Sequence, residues 1–171
     1  MRFEEFAAAR MSSLLRYAFM LCGDRELARD MTQEVLIRAL VKWRRIERLD
    51  RPDAYVRTML TNEFLSLRRR KAVATVALTY DALDGPAAPA VRPDDAYADR
   101  ADLWQRLGTL PRRQRAVIVL RYYEDLSDAE IADVLGCGAS TVRAYATRAL
   151  ATLRVDMTKT PALATGDGEG R

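Results

Sequence analysis

The sequence predicts an all-α protein made of two small helical domains joined by a flexible linker. Apolar residues recur at helical spacing over most of the chain, as Phe6, Leu14 and Leu21 do near the N-terminus. Helix start signals precede these segments, and none shows the alternation of a strand, a heptad array, a repeat or a glycine-rich phosphate loop. Between residues 73 and 96 the periodicity gives way to alanine, proline and aspartate, which is typical of a linker.

The first two helices are predicted at 3–21 and from about residue 25 to Arg45, with Asp24 capping the second. One side of the second helix is apolar and is expected to include Leu36 and Leu40. The opposite side mixes aliphatic with polar residues. Such a face indicates either a protein-docking surface or a central helix with core on both sides. Its residues are Leu27, Asp30, Gln33, Glu34, Ile37, Arg38 and Val41.

A basic loop at 44–52 leads to a third helix, predicted to be capped by Asp53 and to run from Ala54 to about Lys71. The helix ends in four consecutive cations at 68–71, more than a favourable interaction with the helix dipole requires. A surface that contacts phosphates is the better interpretation. The outer side is expected to display Arg57, Thr58, Thr61, Asn62, Ser66 and Arg69.

The second helical domain is predicted at 97–155, followed by a disordered tail at 156–171. Its early part turns Leu107 and Leu110 inward, and Pro111 is expected at the first position of the next helix. Two further helices follow around a tight turn. Together these features predict a compact unit that ends in a helix-turn-helix.

Residues 126–153 carry the signals of that helix-turn-helix. Ser127 and Glu130 have the spacing of a capping box, and Gly136 stands where a left-handed C-cap is needed. The second helix, from about Ala139, carries three arginines and no carboxylate up to residue 154. A helix that merely faces solvent usually carries both signs, whereas small, hydroxyl and arginine side chains suit a DNA groove. The exposed residues are expected to be Ser140, Thr141, Arg143, Ala144, Thr147 and Arg148.

Charge and residue composition limit the classes of function that this chain can have. The formal net charge is +4, and residues 1–72 carry 16 Lys/Arg against 10 Asp/Glu, which favours an acidic partner such as nucleic acid. There is no histidine, and Cys22 and Cys137 lack metal-binding spacing, so we expect no metal, no cofactor and no catalytic residue. With no signal peptide and no membrane insertion predicted, we expect a cytoplasmic protein with reduced thiols.

Four segments carry recognisable motifs: DMTQEVLIRA at 30–39, RPDAYVRTMLTNE at 51–63, LPRRQRAVIVLRYY at 110–123 and LSDAEIADVLGC at 126–137. Together they resemble the extracytoplasmic-function sigma factors of bacterial RNA polymerase, the two-domain group 4 of the sigma-70 family. Each motif alone is weak, and their order and spacing make the set specific. The run YYEDLS at 122–127 is most similar to an actinobacterial-type subgroup.

The resemblance implies a sigma region 2-like domain at 1–72, which binds core polymerase and the promoter −10 element, and a sigma region 4-like domain at 97–155, which binds the −35 element. Docking on the β′ clamp helices is implied for Asp30, Gln33, Glu34, Ile37 and Arg38. Contact with −10 DNA is implied for Arg44, Arg45, Arg48, Arg57, Asn62, Arg68, Arg69, Arg70 and Lys71. Contact with −35 duplex is implied for Ser140, Thr141, Arg143, Ala144, Thr147 and Arg148. Arg112, Arg113 and Arg115 are candidate contacts with phosphate or with the polymerase β flap. The implied partners are core polymerase, promoter DNA and, as for many such factors, an anti-sigma protein.

Two other classes of function were weighed against this one. A stand-alone helix-turn-helix repressor or activator would act without core polymerase, but it would normally add a ligand pocket, a dimerisation helix or a receiver domain, and no such pattern is visible. A nuclease would need a cluster of carboxylates for metal ions, and the carboxylates here are scattered.

Overall fold

The computed structural model describes the backbone of residues 1–74 and 105–159 and the side chains of residues 1–67 and 105–154. Regular structure in these residues is entirely helical, as the sequence predicts. Residues 105–108 are helical, and seven further helices have both ends within the described backbone. These are α1 (Phe3–Cys22), α2 (Arg25–Val41), α3 (Trp43–Ile46), α4 (Pro52–Ala74), α5 (Arg112–Tyr122), α6 (Asp128–Leu135) and α7 (Ala139–Lys159).

The N-terminal domain packs α1, α2 and α4 around an apolar core that includes Phe6 and Leu60. The helix predicted to reach Arg45 is in fact two helices, because the chain turns at Lys42 and α3 begins after it. This turn points Trp43 into the core, where its ring centroid lies 4.8 Å from that of Phe6. The residues that follow, which carry much of the predicted DNA-binding loop, are therefore anchored at their start by a buried aromatic ring.

A glycine and an aspartate form the joint between α1 and α2, and the aspartate caps α2 as predicted. Gly23 ends α1 with φ 70°, in the left-handed region that glycine enters without strain, and its N–H donates to the Phe19 carbonyl at 2.8 Å. The Asp24 side chain then accepts a hydrogen bond from the Leu27 N–H at 2.9 Å. Helix α2, which carries the predicted polymerase-docking face, is thus held firmly at its N-terminus.

Two predicted helix starts are one or two residues from their observed positions. Helix α4 begins at Pro52, so Asp53 lies inside the first turn and is not the cap. A proline suits this position because proline has no backbone N–H, and an N–H at the first helical position would have no intrahelical partner. Pro111 does the opposite: it keeps ψ at 147° and precedes α5, whose first residue is Arg112.

The helix-turn-helix forms where it was predicted. The Ser127 N–H donates to Glu130 Oε2 at 2.8 Å, and the Glu130 N–H donates to Ser127 Oγ at 3.3 Å, which completes the capping box. Gly136 ends α6 with φ 64°, and α7 begins at Ala139. Helix α7 continues to Lys159, four residues beyond the predicted end of the domain. The rest of the predicted tail lies outside the described residues, as does the predicted linker beyond the end of α4.

The two domains touch directly, which the sequence analysis did not foresee. One cluster of buried side chains runs from Phe6 in α1 to Ala146 in α7, and a second joins Leu107 and Ile118 to Met20 of α1. Helix α5 packs against both α1 and α4, and α6 also packs against α4. The described parts of the two domains therefore share a continuous apolar core.

Candidate nucleic-acid and polymerase interfaces

The first half of α7 presents every residue predicted for duplex recognition to solvent. Ser140, Thr141, Arg143, Ala144, Thr147 and Arg148 are all exposed. The opposite side of the helix buries Val142, Ala146 and Ala149 against the rest of the domain. Because the buried residues recur at three- and four-residue spacing, the exposed ones form a continuous stripe. The arrangement can offer guanidinium and hydroxyl groups to a groove without moving the backbone.

Arg143 and Arg148 project from this stripe and pair with no anionic side chain among the described residues. The Thr147 hydroxyl donates to the Arg143 carbonyl at 2.9 Å, and no carboxylate in the described residues pairs with either guanidinium. Free guanidinium groups are suited to bidentate contacts with guanine edges or phosphate oxygens. The stripe is therefore ready to bind an anion.

Helix α2 exposes an apolar surface at its C-terminal end. The exposed fraction is 61% for Ile37, 50% for Leu40 and 82% for Val41. The prediction that Leu40 belongs to the core is wrong, because this side of α2 faces no other described helix. The alternative of a central helix with core on both sides is excluded for the same reason. Three neighbouring aliphatic side chains left in water indicate a surface that another protein covers.

The polar residues of this face lie around the aliphatic ones, and two of them form an ion-pair chain to α4. Asp30 and Gln33 are exposed, whereas Glu34 and Arg38 are partly buried. Arg38 Nε lies 3.2 Å from Glu34 Oε1, and the same guanidinium pairs with the carboxylate of Glu63, whose side chain is only 3% exposed. Sequence pattern alone gives Glu63 no role. Asn62, next to Glu63 in the sequence, is exposed. The ion pairs therefore connect the α2 face to the part of α4 that is predicted to contact DNA.

The residues predicted to contact −10 DNA fall into three groups. Arg44, Arg45, Arg48 and Asn62 are exposed, which is compatible with that role. The side chains of Arg68, Arg69, Arg70 and Lys71 lie outside the described residues. Arg57 is partly buried and forms an ion pair with Glu124, two residues after the end of α5 in the C-terminal domain.

Thr61 was expected on the outer side of α4, and this expectation is wrong. It is fully buried, and its Oγ1 lies 2.7 Å from the Tyr17 hydroxyl. The hydroxyl pair spans α1 and α4 and satisfies two polar groups that would otherwise be buried alone. Burial raises the pKa of the Tyr17 phenol well above its usual range.

The three arginines around the start of α5 have different surroundings. Arg113 is exposed. Arg112 donates from Nη1 to the Phe64 carbonyl at 3.1 Å, with its guanidinium 5.4 Å from the Phe64 ring centroid. Arg115 is only 2% exposed, and burial lowers the pKa of its guanidinium to about 10. In this conformation Arg115 cannot contact phosphate or the polymerase, because it is enclosed between the domains.

Candidate metal-ligand clusters and candidate membrane spans are both absent from the described part of the chain. No group of three or more histidine, cysteine, aspartate or glutamate side chains there could hold a metal ion. None of the helices searched there is long and apolar enough to cross a membrane.

Comparisons with known proteins agree with this arrangement. Residues 7–73 match the family model for sigma-70 region 2, and residues 100–153 match the model for sigma-70 region 4. The RNA polymerase sigma-E factor of Streptomyces coelicolor is 36% identical over 160 residues, which are 92% of this chain and 86% of that protein. The ECF RNA polymerase sigma factor SigL of Mycobacterium tuberculosis is 34% identical over 152 residues, 86% of this chain and 84% of that protein.

A solved structure shows the same fold. The sigma factor RpoE in its complex with the anti-sigma factor NepR, from Bartonella quintana, aligns with a TM-score of 0.71 and 23% identity. The alignment covers 92% of this chain and 98% of that one.

Proposed function

Because this chain belongs to the extracytoplasmic-function family of RNA polymerase sigma factors, we propose that it binds core RNA polymerase and directs it to promoters by recognising −10 and −35 elements. The observation that carries the proposal is the presence of two separate surfaces on one chain. One is the exposed aliphatic face of α2, and the other is the acid-free, arginine-bearing stripe of α7. A stand-alone regulator would use the stripe but would have no need of the aliphatic face.

The α7 stripe is assigned to the −35 duplex. An α-helix fits the major groove, where arginine can bond two acceptors of guanine and a threonine or alanine methyl can contact thymine. Arg143 and Arg148 have these properties, as do Ala144 and Thr147 between them, and all four are exposed. Ser140 and Thr141, at the start of the helix, are positioned for backbone phosphates, because helix N-termini favour anions.

The −10 element is assigned to the loop after α3 and to the outer side of α4. Capturing an extruded base from melted DNA costs a few kcal/mol, and contacts to the base and to adjacent phosphates offset that cost. Arg44, Arg45 and Arg48 supply exposed cations, and Asn62 supplies an amide that can bond a base edge. The cations at 68–71 extend the same basic surface in sequence, and Arg57 joins it once it is released from Glu124.

The α2 face is assigned to the clamp helices of the polymerase β′ subunit. Ile37, with Leu40 and Val41 beside it, would supply buried apolar area at the centre of the contact. Asp30, Gln33, Glu34 and Arg38 would supply the polar rim that fixes orientation. The buried Glu63 holds Arg38, so the rim is partly preorganised before polymerase binds.

The protein therefore acts by binding and not by catalysis, and we place it in the cytoplasm, where polymerase and chromosome are found. An anti-sigma protein is a further partner in this proposal. Its support is indirect: the solved structure with the same fold is a complex with an anti-sigma factor.

A single substitution on α2 tests the proposal. Ile37→Asp places a charge at the centre of the docking face, and because Ile37 is exposed, the fold should tolerate it. Losing one buried aliphatic side chain and burying a carboxylate should weaken core binding by roughly 10- to 100-fold. Titration of a dye-labelled chain with core polymerase, followed by anisotropy, measures this affinity.

The matched control is Met11→Asp, an exposed apolar residue of α1 outside the proposed face. The control should bind core as the unmodified chain does. Equal affinity for Ile37→Asp would mean that the docking face is misplaced. A chain that binds duplex DNA but shows no affinity for core polymerase would support the stand-alone regulator instead.

A further inference from the structure

The contact between the domains is centred on an ion pair that uses a proposed DNA-binding residue. Arg57 of α4 pairs with Glu124, and their side chains are 24% and 10% exposed. Both groups are thus partly removed from water. In such surroundings an ion pair is weakly screened, and losing one partner is costly. Glu124 takes up the Nη1 donor of Arg57 and offsets its charge, so that the paired guanidinium is a weaker ligand for phosphate than a free one.

Aromatic and cationic contacts surround this pair. The ring of Tyr123, next to Glu124, stacks on that of Tyr17 in α1, with centroids 6.4 Å apart and planes at 24°. Arg112, at the other end of α5, hydrogen-bonds the Phe64 carbonyl of α4 and lies over its ring. Both ends of α5 therefore hold the N-terminal domain.

A fourth contact brings Arg115 close to a glycine. A Cβ added to Gly23 would lie 2.9 Å from Arg115 Nη2, so the buried guanidinium occupies space that any other residue would take. Arg115 thus fits against the junction between α1 and α2. The four contacts involve α1, α4 and the α1–α2 junction, and the residues that make them there are called the α1–α4 surface of the N-terminal domain.

A contact of this kind can open when a competing partner is available. Interfaces between domains of one chain resemble transient protein-protein contacts. The attraction within a buried ion pair is also offset by the cost of removing both charges from water, so that the pair of Arg57 and Glu124 adds little net stability to the contact between the domains.

We infer that the α1–α4 surface of the N-terminal domain is a docking site for this chain's own C-terminal domain, and that docking withholds Arg57 from promoter DNA until the domains separate. The DNA role of Arg57 rests on the proposed function, whereas the docking of the two domains does not. We call the docked arrangement the closed form and the separated one the open form. If DNA binds only the open form, its apparent affinity is the intrinsic affinity multiplied by the fraction of open molecules, so closure lowers the affinity of the free protein for DNA. A partner that separates the domains removes this reduction.

Closure is tested by reversing the charges of the ion pair. Donor and acceptor dyes are placed on cysteines introduced at exposed Ser12 and Ala151, in a full-length chain whose Cys22 and Cys137 are replaced by serine. Energy transfer is then compared for Arg57→Glu, Glu124→Arg and the double reversal. Each single reversal puts like charges together and should raise the ratio of open to closed molecules about tenfold, whereas the double reversal should restore most of the closed form.

The control for this arm is Asp133→Arg, which reverses an exposed carboxylate of the same domain and should not change energy transfer. Single reversals that leave energy transfer unchanged, or a double reversal that fails to restore it, would overturn the inference.

A second arm asks whether closure withholds Arg57 from DNA. The probe is a fluorescein-labelled oligothymidylate, and the variant is Glu124→Gln, which leaves Arg57 intact. The affinity of the full chain for the probe should rise about as many fold as the open fraction does. Asp133→Asn, which changes the net charge equally, should have a much smaller effect.

The two arms separate the possible failures. Opening without a gain in probe affinity would overturn the masking of Arg57. If Arg57→Ala fails to lower probe affinity in the Glu124→Gln background, the proposed DNA role of Arg57 is wrong, even when the energy-transfer arm shows closure.

Discussion

At the scale of single residues, Glu63 shows how a buried charge can organise a surface. Its carboxylate is 3% exposed and pairs with Arg38, which in turn lies 3.2 Å from Glu34. Glu63 lies in one of the motifs that indicate the family, but local pattern gives it no role, because its partner is 25 residues away in sequence. Three charged side chains on two helices thus hold one another in place.

Glu63→Gln should lower the free energy of unfolding by about 1–2 kcal/mol. Losing one member of a fully buried pair costs about 3–5 kcal/mol, but here Arg38 is more than a third exposed and stays partly solvated. Urea denaturation measures the change. Glu47→Gln, at an exposed carboxylate, serves as the control and should change stability by less than about 0.5 kcal/mol. Equal stability of the two variants would show that the buried pair contributes nothing.

Cys22 should be nearly inert in the folded protein. It is buried and its thiol donates to the Asp24 carbonyl, and burial raises its pKa to about 11, so that very little of it is the reactive thiolate at pH 7. A disulfide-exchange reagent should modify Cys137 at least about 100-fold faster in native protein, and both equally in denaturant. Comparable native rates would contradict the buried placement of Cys22.

The raised pKa of the Cys22 thiol also makes the stability of the protein depend on pH above about 9. Because the folded pKa of Cys22 lies above the unfolded one, the stability that this thiol contributes is complete below about pH 9 and is lost as the pH rises towards 11.

At the scale of helices, the sequence predicts best what local interactions decide. The capping box of Ser127 and Glu130 and the left-handed Gly136 join residues at most four apart, so they can be read from spacing alone. Helix starts at Pro52 and near Pro111 are less certain, because proline is compatible with both the first helical position and the residue before it. In each case the error is one or two residues.

The edges of apolar stripes are harder to predict than their centres. Leu40 has the spacing of a core residue but has no opposing helix, whereas Thr61 has the spacing of an outer residue but meets the Tyr17 hydroxyl. Which neighbour lies opposite is a tertiary fact that helical periodicity does not contain. The exposed stripe of α7 was predictable because its residues alternate with a fully buried set.

The α7 stripe gives a direct prediction about DNA. Replacing Arg143 or Arg148 by alanine should weaken binding of the isolated −35 duplex by roughly 10- to 100-fold if the side chain makes a bidentate base contact, worth about 1–3 kcal/mol. The matched control is Arg154→Ala, an exposed arginine about three turns beyond Arg143 on the same helix. A loss at Arg154 as large as at Arg143 would mean that binding reflects net charge and not the stripe.

At the scale of the whole molecule, the contact between domains is what sequence reasoning missed. Arg57 and Glu124 are 67 residues apart, and Arg112 and Phe64 are 48 apart, with residues 75–104 between them. A basic residue on an outer helix side is normally assigned to solvent or to DNA, and nothing local reveals a carboxylate from another domain. Charges, caps and motifs predicted two domains and their faces, but not that one domain covers part of the other.

The central claim is that this chain gives core polymerase a choice of promoter. The most direct measurement is in vitro transcription by bacterial core polymerase on a genomic fragment library, with and without the protein. The account predicts discrete new start sites that share −35 and −10 elements and appear only when the protein is present. Unchanged initiation, together with binding of duplex DNA by the protein alone, would contradict it.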